Sequence, residues 1–550
     1  MDQERQVRFA TLSGFKLGLM AGARRGFRAG KWVGGKLVVA LLGFVCGVVA
    51  LYLLQSRDAP PLEPWHRVKL TTEFRAENQD QVKTFEDYLR LEEELFKELD
   101  GKVYQRTATG PAYTLARFSA DSAADPRGRQ PDWNRSFELP GDGPGILLLH
   151  GMSDSPYSLR ALAESFHRQG YWVLGVRMPG HGTAPAALKS LVWEDLAAVT
   201  RLGMEHLASR VGSQPIHMVG YSTGALLAMD YVLNPSRFDP TDRASSPEPA
   251  SLILISPAIG IGNIAALAGW IKALSRLPGL ERLGWESIRP EFDPHKYNSF
   301  ATNAGHQVHR LVDSVTDRVD ALAAAGPLDP FPPTLVFLSA VDATVSPDAV
   351  IDNFMVKLSP GPHELFLFDI NRSSVRSTVL VSDPGPLTAR LLGDSELPFH
   401  FSLITNQSAE SSQVALRRKA PRSNSITTEP LDLQWPPGLI SLSHIALQFP
   451  PDDPLYGQRP SRSNAALHLG QMAIQGERGL LMFPSNWLLR VRHNPFYELL
   501  EERVMEWVSD FGDGEGLPER QEETFPKYED GQVEEGQLED GQVESTREDG

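Results

Sequence analysis

Ile216-His-Met-Val-Gly-Tyr-Ser-Thr-Gly-Ala-Leu-Leu-Ala228 is the stretch on which the fold turns. A mostly apolar run enters Gly220-Tyr221-Ser222-Thr223-Gly224, and an apolar, helix-compatible run leaves it. This is G-x-S-x-G set between a strand and a helix, with a sharp turn at the serine. At such a turn the serine backbone is strained and its hydroxyl projects above the sheet. The glycines are needed where strand and helix pass too close for a β-carbon. The spacing alone arises often by chance. Its meaning depends on whether a base, an acid and oxyanion donors follow at suitable places.

Outward from the elbow, strands and helices alternate. Gly145-Ile-Leu-Leu-Leu-His-Gly151 and Tyr171-Trp-Val-Leu-Gly-Val176 are short apolar runs suited to strands buried on both faces. Helices are expected over 158–168, 190–210 and 223–233, and further strands over 216–219 and 251–256. The alternation predicts an α/β protein with a mostly parallel sheet flanked by helices. From about 257 to 333 the strand rhythm stops, with helical patches at Ala265–Leu274 and Val308–Ala325, which suggests a helical cap over the sheet's carboxyl edge. Thr334–Ser339 and Glu364–Phe368 resume the sheet. Residues 371–437, with their Ser, Arg and Pro clusters, read as a partly mobile insertion. Pro495–Val508 closes the 145–512 domain as an amphipathic helix.

The flanks differ in character. Residues 37–54 carry no charge and are long enough to cross a bilayer. The preceding 1–36 segment is basic (Arg5, Arg8, Lys16, Arg24, Arg25, Arg28, Lys31, Lys36), which predicts a cytoplasmic N-terminus and an exported remainder. That places the catalytic domain at the periplasmic face of the inner membrane if the chain is bacterial. No small-x-small site follows the apolar run, Arg24-Arg25 lies well upstream of it, and Val45 precedes Cys46, so an uncleaved signal-anchor is preferred over a cleaved, twin-arginine or lipoprotein signal. Residues 55–144 suggest a tether, with a packing helix around Phe85–Phe96 and loop over 119–144. Residues 513–550 repeat Glu-Asp-Gly-Gln-Val-Glu and related units, an acidic tail that cannot bury a core and is expected to be disordered.

Composition narrows the function. Of 550 residues, 41% are apolar and 22% charged, a globular balance. The net charge of −16 argues against nucleic acid as a partner. Cys46 is the only cysteine, which excludes a disulfide framework and a thiolate metal site. His306 and His309 sit three apart without an obvious carboxylate partner, so neither a metal nor a cofactor is expected. Nothing in the sequence identifies a protein partner.

An acyl-transfer serine needs a base and a carboxylate to orient it, and after an elbow of this kind the chain order is Ser, acid, His. Asp342 follows the strand 334–339, and His444 follows Gly438–Leu442. Ser222, Asp342 and His444 are therefore the expected catalytic residues. The oxyanion donors are expected to be the backbone N–H groups of Thr223 and, from the loop after the early strand, Met152. His150 and His181 suit loop buttressing. His363, His400 and His468 are weaker candidates for the base, since one precedes a strand, one lies in the insertion and one in a helical-looking run.

His150-Gly151, Arg177-Met-Pro-Gly-His-Gly-Thr183, Gly220-Tyr-Ser-Thr-Gly224, Asp342-Ala-Thr-Val345 and Ser443-His444 together resemble the α/β-hydrolases, on the branch of monoglyceride lipases, carboxylesterases and serine aminopeptidases. The resemblance spans roughly 145–260 and 334–511. It implies Ser222 as nucleophile, Asp342 as acid, His444 as base, and hydrolysis through an acyl-enzyme. The chain departs from the pattern in its anchor, its tail and the long 371–437 stretch, which leaves Asp369 or Asp383 as other acids. The expected function is a membrane-anchored serine hydrolase of carboxylic esters, lipid-like ones included, acting on a small-molecule ester or acyl substrate. A peptidase or thioesterase with the same triad, and a non-catalytic binding protein on a retired hydrolase fold, are the alternatives.

Overall fold

Short apolar runs become the strands of a single ten-stranded sheet in the computed structural model. It describes residues 60–512 apart from 79, 235–246, 261–274, 276–278, 343, 375–382, 460–466 and 471–490, together with Gly43 and Gly47. In chain order the strands are β1 (Phe137–Leu139), β2 (Gly145–Leu149), β3 (Trp172–Val176), β4 (Ile216–Tyr221), β5 (Ser251–Ile255), β6 (Thr334–Ser339), β7 (His363–Phe368), β8 (His400–Asn406), β9 (Gln413–Lys419) and β10 (Ile426–Gln434). Their order across the sheet is β1-β3-β2-β4-β5-β6-β7-β8-β9-β10. From β3 to β8 every neighbouring pair is parallel, while β1 at one end and β9 and β10 at the other are antiparallel.

Alternate strand residues feed two cores. Leu147, Leu149, Met218, Leu252, Leu254, Val336 and Leu338 face one side. Ile146, Leu148, Val219, Ile253, Leu335 and Phe337 face the other. The period of two along each strand sends successive side chains to opposite faces, so uninterrupted apolar runs serve both layers. Helices α1 (Phe85–Lys102), α3 (Trp193–Val211), α4 (Thr223–Leu233), α5 (Thr302–Ala323), α6 (Pro347–Asn353) and α7 (Gly385–Gly393) contribute to the first core. Helices α2 (Arg160–Arg168) and α8 (Tyr497–Asp510) cover the second.

Three expectations change. The cap was expected over 257–333, but α5 occupies 302–323 and packs against α3 and α4 as the crossover from β5 to β6. Its buried Ala304, Val308, Leu311, Val315 and Val319 recur at three- and four-residue intervals, the stripe a sheet-covering helix needs. The segment over the carboxyl edge is therefore shorter, and includes Trp285–Ser287 paired with Phe300–Ala301. The helical patch Ala265–Leu274 lies outside the described residues.

The supposed insertion at 371–437 carries α7, β8, β9 and β10 and widens the sheet. Phe401 and Leu403 enter one core while Ile404, Val414 and Leu416 enter the other, with Ser402 and Thr405 between them. Polar residues in these strands hid an ordinary alternation.

The 55–144 tether is, from Pro60 onward, part of the fold. Thr84 caps α1 through a reciprocal pair with Asp87, which satisfies backbone N–H groups at the helix start. Phe74, Phe85 and Tyr88 join the first core. Arg177, at the end of β3, is buried between Glu73 at 3.1 Å and Glu92 at 2.8 Å. Glu92 also accepts the N–H and hydroxyl of Ser136, and β1 lies within the stretch expected as loop. Among the described residues no helix is long and apolar enough to cross a membrane. The span expected at 37–54 lies outside them except for Gly43 and Gly47, as do the basic segment 1–36 and the tail 513–550.

Candidate active site

Ser222 sits between β4 and α4 with φ 54° and ψ −112°, in the sparsely populated left-handed half of backbone space. Neighbouring strands hold it there, for its N–H donates to the carbonyl of Ile255 at 2.9 Å. The flanking glycines are sterically required. A β-carbon on Gly224 would lie 1.9 Å from the carbonyl oxygen of Leu149, and one on Gly220 would lie 2.5 Å from the backbone of Ala225. Helix α4 thus crosses the end of β2 at closest approach, which raises the serine above the sheet.

The structure brings the three expected residues together from distant parts of the chain. His444 Nε2 lies 3.1 Å from Ser222 Oγ, and His444 Nδ1 lies 2.8 Å from Asp342 Oδ2. All three are buried, and the Asp342 side chain has no exposed surface. Asp342 Oδ1 accepts the backbone N–H groups of Thr344 and Val345 at 2.8 and 2.9 Å, which holds the carboxylate in one orientation. Burial pushes the Asp342 carboxyl upward, but the hydrogen bond and charge of His444 and those two N–H groups bring it below its ordinary value. An ionised Asp342 can only accept, so His444 carries its proton on Nδ1 and presents a lone pair from Nε2 to the serine hydroxyl.

The loop that delivers His444 is tied down at three points. Ser339 Oγ donates to the carbonyl of Leu442 at 2.9 Å, and Ser443 Oγ to that of Val491 at 2.9 Å. The Tyr221 hydroxyl reaches the carbonyl of His444 at 3.4 Å. The other acids are engaged elsewhere. Asp369 pairs with Arg372 and accepts from Thr405, and Asp383 also pairs with Arg372. His363 and His400 begin β7 and β8, and His468 lies in coil rather than a helix. His309 pairs with Asp313 one turn along α5. Among the described residues no group of three or more metal-ligating side chains is assembled.

The loop after β2 turns tightly beside the serine. Ser153 has φ 68°, its carbonyl accepts the N–H of Tyr297 at 2.8 Å, and a β-carbon on Gly151 would meet the Tyr221 ring at 3.0 Å. Met152 is half-buried in this loop, with its sulfur 3.2 Å from His181 Nε2. Thr223 is the first residue of α4, where helix geometry leaves the backbone N–H without an intrahelical acceptor. His150 Nε2 accepts the N–H of Met178 at 3.0 Å, and its ring meets His181 edge-on at 5.1 Å. Burial drives both imidazoles down, His150 well below the usual range and His181 to about 4. They stay neutral at pH 7 and brace the loop.

Residues 146–369 match the model of the alpha/beta hydrolase family. The chain carries an alpha/beta hydrolase domain. Over 208 residues it is 27% identical to a thermostable monoacylglycerol lipase of Bacillus sp. (strain H-257), covering 38% of this chain and 74% of that protein. Among solved structures, a metagenome-derived lipolytic enzyme is 22% identical with a TM-score of 0.33, covering 43% of this chain and 87% of that one. A soluble variant of a Saccharomyces cerevisiae monoglyceride lipase, solved with a substrate analogue, is 14% identical with a TM-score of 0.32, covering 42% and 82%. The alpha/beta hydrolase chain is an enzyme of the hydrolase class, on the lipase and esterase branch of its superfamily.

Sequence reasoning missed the tethers on the His444 loop and the buried Glu73–Arg177–Glu92 cluster. It also missed the polar residues contributed by 289–298, 448–456 and 492 beside the site. Asp154, in the same short run as His150-Gly151, was the one with a local signal.

Proposed function

We propose that this alpha/beta hydrolase is a membrane-anchored serine esterase, acting on carboxylic esters that include lipid-like ones. The observation that carries the reading is the relay Ser222 Oγ–His444 Nε2 at 3.1 Å and His444 Nδ1–Asp342 Oδ2 at 2.8 Å. Ser222 Oγ attacks the ester carbonyl while its proton passes to His444 Nε2, and a C–O bond forms at carbon. The N–H groups of Met152 and Thr223 stabilise the oxyanion of the tetrahedral intermediate. On its collapse the ester C–O bond breaks, and the leaving alkoxide takes the proton from His444. Water, deprotonated by the same histidine, then hydrolyses the acyl-enzyme. Asp342 orients the imidazole and stabilises its cation. The likeness to a monoacylglycerol lipase supports an ester over an amide or thioester.

The anchor rests on the uncharged run 37–54 and the basic segment before it. It places the catalytic domain outside the cytoplasm, periplasmic in a bacterium with two membranes, within reach of bilayer-derived acyl substrates. Protease added to spheroplasts should digest the catalytic domain; its protection would refute the orientation. The activity is tested by labelling the full-length, detergent-solubilised protein with a fluorophosphonate and mapping the peptide. Label on Ser222 that is lost in Ser222→Ala and His444→Ala supports the mechanism. Absence of label on folded protein would favour a retired binding site, and label retained in His444→Ala would assign the base to another residue.

A further inference from the structure

The turn that carries the Met152 N–H is crossed by a strap from a distant part of the chain, residues 288–299. Two consecutive residues of each segment meet there. The Tyr297 N–H donates to the Ser153 carbonyl at 2.8 Å, and Lys296 Nζ donates to Asp154 Oδ1 at 2.6 Å. Asp154 lies two residues after Met152, and its own N–H returns to the Gly151 carbonyl at 3.2 Å, so the turn encloses Met152. The second carboxylate oxygen folds back over that turn, since a β-carbon on Gly151 would lie 3.0 Å from Asp154 Oδ2. Asp154 is buried, and Lys296 is the hydrogen-bond partner of its carboxylate among the described residues. Burial holds that carboxyl above its ordinary value against the opposing Lys296 charge. The strap can serve as a fixed reference because it is itself tied on several sides. Asp293 accepts the N–H groups of His295 and Lys296 and the Tyr456 hydroxyl, and Glu291 accepts the N–H groups of Asn298 and Ser299. The His295 ring stacks on Tyr157 at 4.1 Å, and the Tyr297 hydroxyl accepts the Thr183 N–H at 2.8 Å.

We infer that Lys296 is a positioning residue for the proposed esterase, and that its ion pair with Asp154 fixes the turn whose Met152 N–H faces the oxyanion. The inference rests on the esterase reading and names the group that sets one of its oxyanion donors. An N–H aimed at developing charge helps only when it is held in place beforehand. Ser153, at φ 68°, shows that this turn does not rest in a relaxed conformation, and such a backbone persists only where its surroundings over-determine it. The Tyr297 N–H holds the turn by its backbone, and the Lys296–Asp154 pair holds it by a side chain on the Met152 side of that contact. Loss of the pair therefore leaves the turn on the strap but free to shift. A displacement of about 1 Å in such a group costs up to about a hundredfold in rate, and outright removal of an oxyanion donor about 10²–10³.

The test uses the full-length, detergent-solubilised enzyme with a nitrophenyl ester, and circular dichroism checks the fold of each variant. Lys296→Met should lower kcat about tenfold to a hundredfold with KM changed less than about threefold, because the oxyanion exists only in the transition state. Asp154→Asn keeps the side-chain shape and carries the test should Lys296→Met not fold. The double variant should lose about as much as either single one, since all three break the same pair. Lys296→Arg, which can still meet Asp154, should recover most of the rate. A trifluoromethyl ketone supplies the readout that a merely structural ion pair would not move. Ser222 Oγ adds to its carbonyl carbon, and the carbonyl oxygen becomes an anion in the same position as that of the intermediate. Its affinity should fall by the same factor as kcat/KM across the variants. An unchanged kcat in folded Lys296→Met, additive losses in the double variant, or a ketone affinity that stays put while kcat falls each overturns the inference. Wild-type turnover that depends on Ser222 would then leave the esterase reading standing. No wild-type turnover, with no fluorophosphonate label, would remove the esterase reading and this inference with it.

Discussion

Asp342→Asn tests the relay at its buried end. The substitution keeps shape and volume but removes the charge that faces His444 Nδ1 at 2.8 Å. When the serine proton moves to the imidazole, the cation formed has this carboxylate as its counter-charge. Two unit charges about 4 Å apart interact by about 4 kcal/mol at an effective dielectric constant near 20. Lost in full from the transition state, that is about a thousandfold in kcat. A second effect adds to it. Asp342 Oδ1 is held by the N–H groups of Thr344 and Val345, so in the variant the amide oxygen would stay there and the amide NH2 would face His444. That donor selects the imidazole tautomer with its proton on Nε2, which cannot accept from Ser222. The expected outcome is a fall in kcat of about 10³ to 10⁴ with KM little changed. Hydrolysis of a short-chain nitrophenyl ester gives the rate, and circular dichroism checks the fold. A loss below tenfold in folded protein would refute the reasoning and return the acid role to another carboxylate.

The remaining predictions concern stability. Arg177→Met leaves Glu73 and Glu92 buried without their cation, and should lower the unfolding free energy by about 3–5 kcal/mol; urea titration of the two proteins measures it, and a change under 1 kcal/mol would contradict the burial. For the same reason a fragment starting at Gly145 should be insoluble, whereas one starting at Pro60 should fold. Gly224→Ala puts a methyl group against the Leu149 carbonyl, so it should abolish fluorophosphonate labelling and depress soluble yield; wild-type labelling would show that the elbow can relax. His217, buried in β4 against Ser251, has its basicity lowered by burial to about 4. Because the unfolded chain takes up that proton near pH 6.5, its contribution is intact above that pH and is lost as pH falls toward 4. Between pH 7 and pH 5 this amounts to about 2 kcal/mol, so His217→Gln should lose that much less over the interval; an unchanged pH dependence would count against a neutral buried imidazole.

How far these positions could be read in advance depended on whether the signal was local. Ser222 and both elbow glycines stand in one short run, and only one backbone geometry joins such a strand to such a helix. The 302–323 helix was visible as helix, but its place between β5 and β6 depended on which surface its apolar stripe would meet. Strands β8 to β10 were hidden for another reason. Their faces are mixed and the outermost strand is largely exposed, so no long apolar run announced them.

The sequence by itself determined the alternation of strands and helices, the elbow, and the order serine, acid, histidine. Each is written in neighbouring residues, where periodicity and turn chemistry act. Tertiary structure decided which carboxylate faces His444, how the 60–136 segment is locked by Arg177, and that cations from two separate segments gather beside the site. Such meetings depend on long-range packing, since burial and charge pairing are settled by whatever the fold places within a few ångströms, at any distance along the chain.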